Sequence, residues 1–188
     1  MKFARKVIER HLKREDLEGS ELPERFHEMG GVFVTLNKYP SDDLRGCIGY
    51  PEPVLQLKKA IPQAAISATR DPRFPPLTLD ELNDITVEIT LLTPPEDVPF
   101  DDPFELPEKI ECGRDGLIIS SGPYTGLLLP QVPVEHGWNE EQFLDHTCLK
   151  AGLTPDTWRR GDCSVKRFQG YIFGEKEPGG EVEKREIG

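Results

Sequence analysis

The residues with the clearest chemical potential lie in Leu44-Arg45-Gly46-Cys47-Ile48-Gly49. A cysteine becomes a nucleophile or a ligand as its thiolate, and a fixed cation nearby favours that form. An apolar run, Gly31 to Leu36, precedes this stretch, and the turn formers Pro40, Ser41, Asp42 and Asp43 separate the two. The pair therefore reads as two antiparallel strands. Alternation along a strand puts Leu44, Gly46 and Ile48 on one face and Arg45, Cys47 and Gly49 on the other. The first face is expected to be core, with Gly46 admitting a close neighbour. The second brings a guanidinium beside a thiol. The competing reading is a cysteine that only packs, as a small hydrophobe.

Two further stretches carry candidates. Arg70-Asp71-Pro72-Arg73-Phe74-Pro75-Pro76 is a stiff connector in which two arginines flank an aspartate. It is either a rigid helix exit, with Asp71 holding one arginine, or a pair of cations for a carboxylate or phosphate. Ile85, Val87, Ile89 and Leu91 alternate with Thr86, Glu88 and Thr90, the pattern of a half-buried strand. Glu88 on its polar face is solvated, or, where that face lines a cleft, able to carry protons. His11 and His136 are isolated histidines. Cys47, Cys112, Cys148 and Cys163 show no CxxC or CxH spacing, so no metal site is assigned. Free thiols in a reducing cytoplasm are expected.

The elements that must position these groups follow from periodicity. Residues 2–18 form an amphipathic helix with Phe3, Val7, Ile8, His11 and Leu12 inward, Gly19 as its stop, and Lys2, Arg5, Lys6, Arg10, Lys13 and Arg14 as a solvated face. Val54 to Thr69 is helical, with Pro62 either kinking it or opening a second helix. Leu79 to Leu82 makes a helical turn. The proline-rich 93–103 segment is the place to cross between subdomains. Strands are expected at Ile110–Cys112, Leu117–Ile119, Gly126–Pro130 and Ser164–Phe173. Asn139 and Gln142 form a capping box opening a helix, and Thr154 caps a shorter one. The tail from Glu175 reads as frayed.

The whole chain sets limits. At 188 residues it holds one domain or two small ones. A net charge of −11 argues against nucleic acid and anionic membranes as partners. No apolar run approaches the ~18 residues of a membrane span.

LRGCIG at 44–49, DPRFPPL at 71–77, ITVEITLLTPPEDV at 85–98, GLLLPQV at 126–132 and LKAGL at 149–153 together resemble the AMMECR family, an uncharacterised domain found in archaea, bacteria and eukaryotes. The resemblance runs from about Gly30 to about Phe173, in the family's order and spacing. It implies an α+β chain of two unequal subdomains, each an antiparallel sheet flanked by helices, with a cleft between them. The division expected is 1–28 plus 99–188 as the larger and 29–98 as the smaller. The resemblance supplies no activity and no cofactor. It implies that LRGCIG marks the functional surface, with a Memo-like protein as a partner at family level. Arg45, Gly46, Cys47, Gly49, Asp71, Arg73, Phe74, Glu88, Pro130 and Lys150 map onto its motifs. His136, Cys112, Cys148 and Cys163 do not.

Two functional readings follow. In one, an unknown small molecule binds Arg45, Gly46, Gly49, Asp71 and Arg73, with Cys47 as thiolate nucleophile or ligand and Glu88 moving protons. In the other, the chain is a non-catalytic interaction domain whose glycines permit packing and whose arginines dock a partner. Whether it is an enzyme stays open at this point.

Overall fold

The computed structural model describes residues 1–16 and 22–185. The chain divides into two compact units, Met1–Leu92 with Tyr171–Glu186 and Thr93–Gly170. The first crossing falls at the start of the expected proline-rich linker. The second falls inside a strand, where composition gives no sign of it.

The first unit opens with α1 (Lys2–Lys13) and continues with β1 (Gly31–Lys38), β2 (Leu44–Tyr50), α2 (Leu57–Ala68) and β3 (Ile85–Leu92). Its sheet reads β2-β1-β3, then the second half of β7 (Ser164–Glu175), to which β8 (Val182–Arg185) adds. All the pairings whose registers are resolved are antiparallel. Ala4, Val7 and Ile8 of α1 join Val32, Val34, Leu36, Ala64, Ala65, Val87 and Ile89 in one core. The helix is short, ending at Lys13 with Arg14 in the left-handed region; Gly19 lies outside the described residues. Because α1 buries its stripe in this core, residues 1–28 do not go with 99–188 as the sequence division expected. Pro62 sits within a single α2.

Arg5 is not solvated but buried, donating to both oxygens of Glu175 (2.6 and 2.5 Å) and to the carbonyls of Leu82 and Ile85. Nor is the stretch after Glu175 frayed throughout: Val182–Arg185 pairs with Ile172–Glu175. That hairpin turns at Gly179, whose φ of +70° suits glycine.

The second unit holds β4 (Glu96–Asp97), α3 (Leu106–Lys109), β5 (Asp115–Ser121), β6 (Tyr124–Leu128), α4 (Gln131–His136), α5 (Glu140–Lys150) and the first half of β7. That half of β7 pairs with both β4 and β5, and β6 closes the far side of β5. Phe143, Leu144 and Cys148 of α5 meet Leu117, Ile119, Val165 and Trp158 in its core. The Asn139–Gln142 capping box is present in full. Ile110–Cys112 is loop, not strand: Ile110 is buried and the Cys112 N–H donates to Glu140 instead of to a ladder. Among the described residues no helix is long and apolar enough to cross a membrane.

Candidate functional site

The hairpin of β1 and β2 places Cys47 opposite Thr35, and β3 places Glu88 on the other side of Thr35. Directly opposite residues share a sheet face. Cys47, Thr35 and Glu88 therefore form a row on the face turned away from the core residues Val34, Leu36, Val87 and Ile89. Thr35 Oγ1 donates to Cys47 Sγ at 3.3 Å. Arg185, from β8, donates to Glu88 Oε2 at 3.0 Å and lies 3.8 Å from Asp42.

The register shows why Arg45 does not join this row. Leu36 faces Gly46 and Asn37 faces Leu44, so Arg45 is the extra residue of a β-bulge. A bulge breaks the alternation on which the same-face expectation rests. Arg45, 6% exposed, runs to Glu81 (2.9 and 3.2 Å) and over the Phe74 ring. Leu44, expected in the core, is 39% exposed for the same reason. Gly46 and Ile48 do pack inward. A Cβ on Gly46 would run into the Ala68 carbonyl at the end of α2, and one on Gly49 into the Val32 carbonyl and Phe33 ring. Gly46→Ala is thus expected to cost about 1–3 kcal/mol through overpacking, read as a lowered midpoint in thermal melting.

The connector motif closes on the strand motif. Cys47 lies on β2, the last strand of the sheet path. Its N–H donates to Asp71 Oδ2 at 2.9 Å and its carbonyl accepts from Arg73 Nη2 at 3.4 Å. Asp71 also accepts from the Arg73 backbone and from its Nε and Nη2, at 3.0, 3.0 and 2.6 Å. Its side chain is 1% exposed and that of Arg73 56%. An exposed strand edge invites wrong pairing, and here the edge is filled at its centre by a side-chain pair. Phe74 lies within 5.9 Å of the Arg45 and 5.7 Å of the Arg73 guanidinium carbon.

These surroundings set the charges. The Arg73 guanidinium holds the Asp71 carboxyl well below the usual carboxylate range, outweighing the opposing effect of burial. Burial pushes the Cys47 thiol up. The Thr35 hydrogen bond and Arg73 oppose the rise, while Asp71 and Glu88 add to it. The expected thiolate beside Arg45 is corrected accordingly: the cation acting on Cys47 is Arg73, and it does not overcome burial. Burial also raises Glu88, against the pull of Arg185. Cys112 and Cys148 are pushed up to about 12 and about 11, burial leading in both.

Cys47 and Glu88 belong to one row. Asp71 and Arg73 adjoin it through the Cys47 backbone, and Arg45 does not reach it. Thr35 carries only a weak sequence signal, its alternation with Val34 and Leu36. Arg185 had no local signal at all, lying 97 positions from Glu88. Among the described residues no three His, Cys, Asp or Glu side chains are grouped as metal ligands would be.

The comparisons with known proteins agree with one another. A family model described as AMMECR1 matches residues 1–173. A protein of Methanocaldococcus jannaschii is 52% identical over 188 residues, spanning 100% of this chain and 94% of that protein. One from Methanopyrus kandleri is 50% identical over 190 residues, spanning 100% and 92%. The crystal structure of an uncharacterised protein from Pyrococcus horikoshii superposes with a TM-score of 0.83 at 49% identity, covering 97% of this chain and 93% of that one. The chain belongs to the AMMECR1 family.

Proposed function

We propose that this AMMECR1-family chain binds a small molecule at the row Cys47, Thr35 and Glu88, with Glu88 moving a proton and Cys47 acting as nucleophile or soft ligand. One observation carries the reading: three strands bring a thiol, a hydroxyl and a carboxyl with a raised pKa onto one face. A raised carboxyl pKa brings proton exchange closer to neutral pH. In the resting protein Cys47 is a neutral thiol, so its nucleophilic form waits for a ligand that brings positive charge or takes its proton. Arg73, half in solvent beside the Cys47 carbonyl, is the cation placed to meet an anionic part of that ligand. Arg45, Gly46, Gly49 and Asp71 then shape the strand and do not touch the ligand. The chain works as a cytoplasmic protein, in keeping with four free cysteines.

A second reading makes the chain a non-catalytic interaction domain, with a Memo-like protein as its partner. It is favoured by the exposure of Arg73, whose side chain is 56% accessible beside the Cys47 edge, while Arg45 is buried on Glu81 and can dock nothing. The test is amide NMR of the whole chain, first against a library of small polar molecules and then against a Memo-like protein. The first reading expects small-molecule shifts gathered at Thr35, Cys47 and Glu88 and lost in Glu88→Gln. Silence toward the library, with the same amides moved by the protein partner, would overturn it in favour of the second.

A further inference from the structure

The two arginines that flank Asp71 have separate surroundings. Arg73 is held on Asp71. Arg70, just past the end of α2, instead lines a pocket of about 360 Å3 with His11 and Arg14 from the end of α1. Leu12, Pro76 and Leu77 supply its apolar surface, and among the described residues no carboxylate lines it. From these observations we infer that this pocket is an anion-binding site for the phosphate group of a small organic phosphate.

Charge pairing across the chain sets this pocket apart. The sequence carries 34 Asp and Glu against 23 Lys and Arg, so guanidiniums find carboxylates easily. Arginines 5, 45, 73, 114, 159, 160 and 185 are all in ion pairs, and Arg10 and Arg167 bond to backbone carbonyls. Among the described residues only Arg14, Arg25 and Arg70 make no side-chain ion pair or hydrogen bond. Two of these three line the same pocket.

The side chains suit the ligand. Guanidiniums bind phosphate through paired N–H donors, which a point charge cannot match. Two of them from different elements can grip separate edges of one phosphate. Burial and the charge of Arg70 hold His11 below its ordinary value, so the field of Arg70 reaches the imidazole across the pocket. The apolar residues would cover the organic part of the ligand, which a free phosphate lacks. The pocket volume lies within the range of small-molecule sites.

Basic residues at helix ends also have a plainer use, complementing the negative end of the helix dipole. The experiment separates the two. The whole chain is melted with inorganic phosphate or phenyl phosphate present, and amide shifts are followed at His11, Thr69, Arg70 and Leu77. The site requires that both probes raise the melting temperature in proportion to occupancy, with phenyl phosphate the tighter because it covers the apolar surface. Arg70→Ala and Arg14→Ala should each weaken binding about tenfold or more. Both side chains are exposed, and an unchanged melting temperature without phosphate checks that each variant folds. Equal affinity for the two probes would assign the site to free phosphate and overturn the organic ligand. An unmoved wild type, or shifts that survive in both variants, would overturn the site altogether. Variants that melt lower without phosphate, in a chain that phosphate does not touch, would leave the arginines serving the helix ends alone.

Discussion

Glu175→Ala is expected to destabilise the first unit by about 3–5 kcal/mol, the range for removing one partner of a buried ion pair. The side chains of Arg5 and Glu175 are only 9% and 3% exposed, so water cannot take over for the lost carboxylate. The loss also orphans the Val87 N–H, which donates to Glu175 Oε2 at 3.0 Å. Arg5→Leu and Glu175→Leu each leave one charge unpaired while the double variant leaves none, so the double should cost less than these two single variants added together. Full recovery is not expected, because the Leu82 and Ile85 carbonyls would still lose their Arg5 donor. Chemical denaturation of the four proteins measures the coupling. Strict additivity would mean that the pair is not formed in solution.

Asp71→Asn is the second large effect. The carboxylate accepts two backbone N–H groups and two guanidinium N–H groups while nearly buried. An amide carries no charge and turns two donors toward groups that are themselves donors. A cost of about 3 kcal/mol follows from leaving such donors unmet. Its pH dependence has a definite sign. The folded carboxyl titrates below its unfolded value of about 3.9, so its contribution is complete above that value. It fades as pH falls through the folded pKa. The gap in stability between wild type and Asp71→Asn should thus stay level from about pH 5 to 8 and narrow in acid below pH 4. A gap that instead widened below pH 4 would mean that the folded carboxyl titrates above its unfolded value.

What could be read from the residues was what periodicity and local chemistry encode. The β1–β2 hairpin, β3, the capping box of α5 and the crossing near Thr93 all carry such signals, and the family motifs led to the right strands. The failures depend on a partner outside the stretch being read, next door in one case and far along the chain in the others. Nothing in LRGCIG marks the bulge at Arg45, because a bulge is a count of residues against β1. That single residue separates the guanidinium from the thiol. Arg5 looks like any basic residue on a helix face until Glu175, 170 positions later, arrives beside it. The strand Val182–Arg185 is charged and short, and its pairing runs through the backbone, which leaves no apolar alternation to find. With it went Arg185, the counter-ion of Glu88.

Cys47 and Glu88 share one face of the sheet, and the Glu88 charge adds to the rise that burial gives the Cys47 thiol. Alkylation of Cys47 against pH, by peptide mapping of the folded chain with and without Glu88→Gln, tests it most directly. Cys112 and Cys148 in the same sample serve as references. Cys47 is expected to titrate above the free value of about 8.5, and Glu88→Gln to move this titration down by removing a like charge. A Cys47 that titrates below the free thiol, or one indifferent to Glu88, would contradict it.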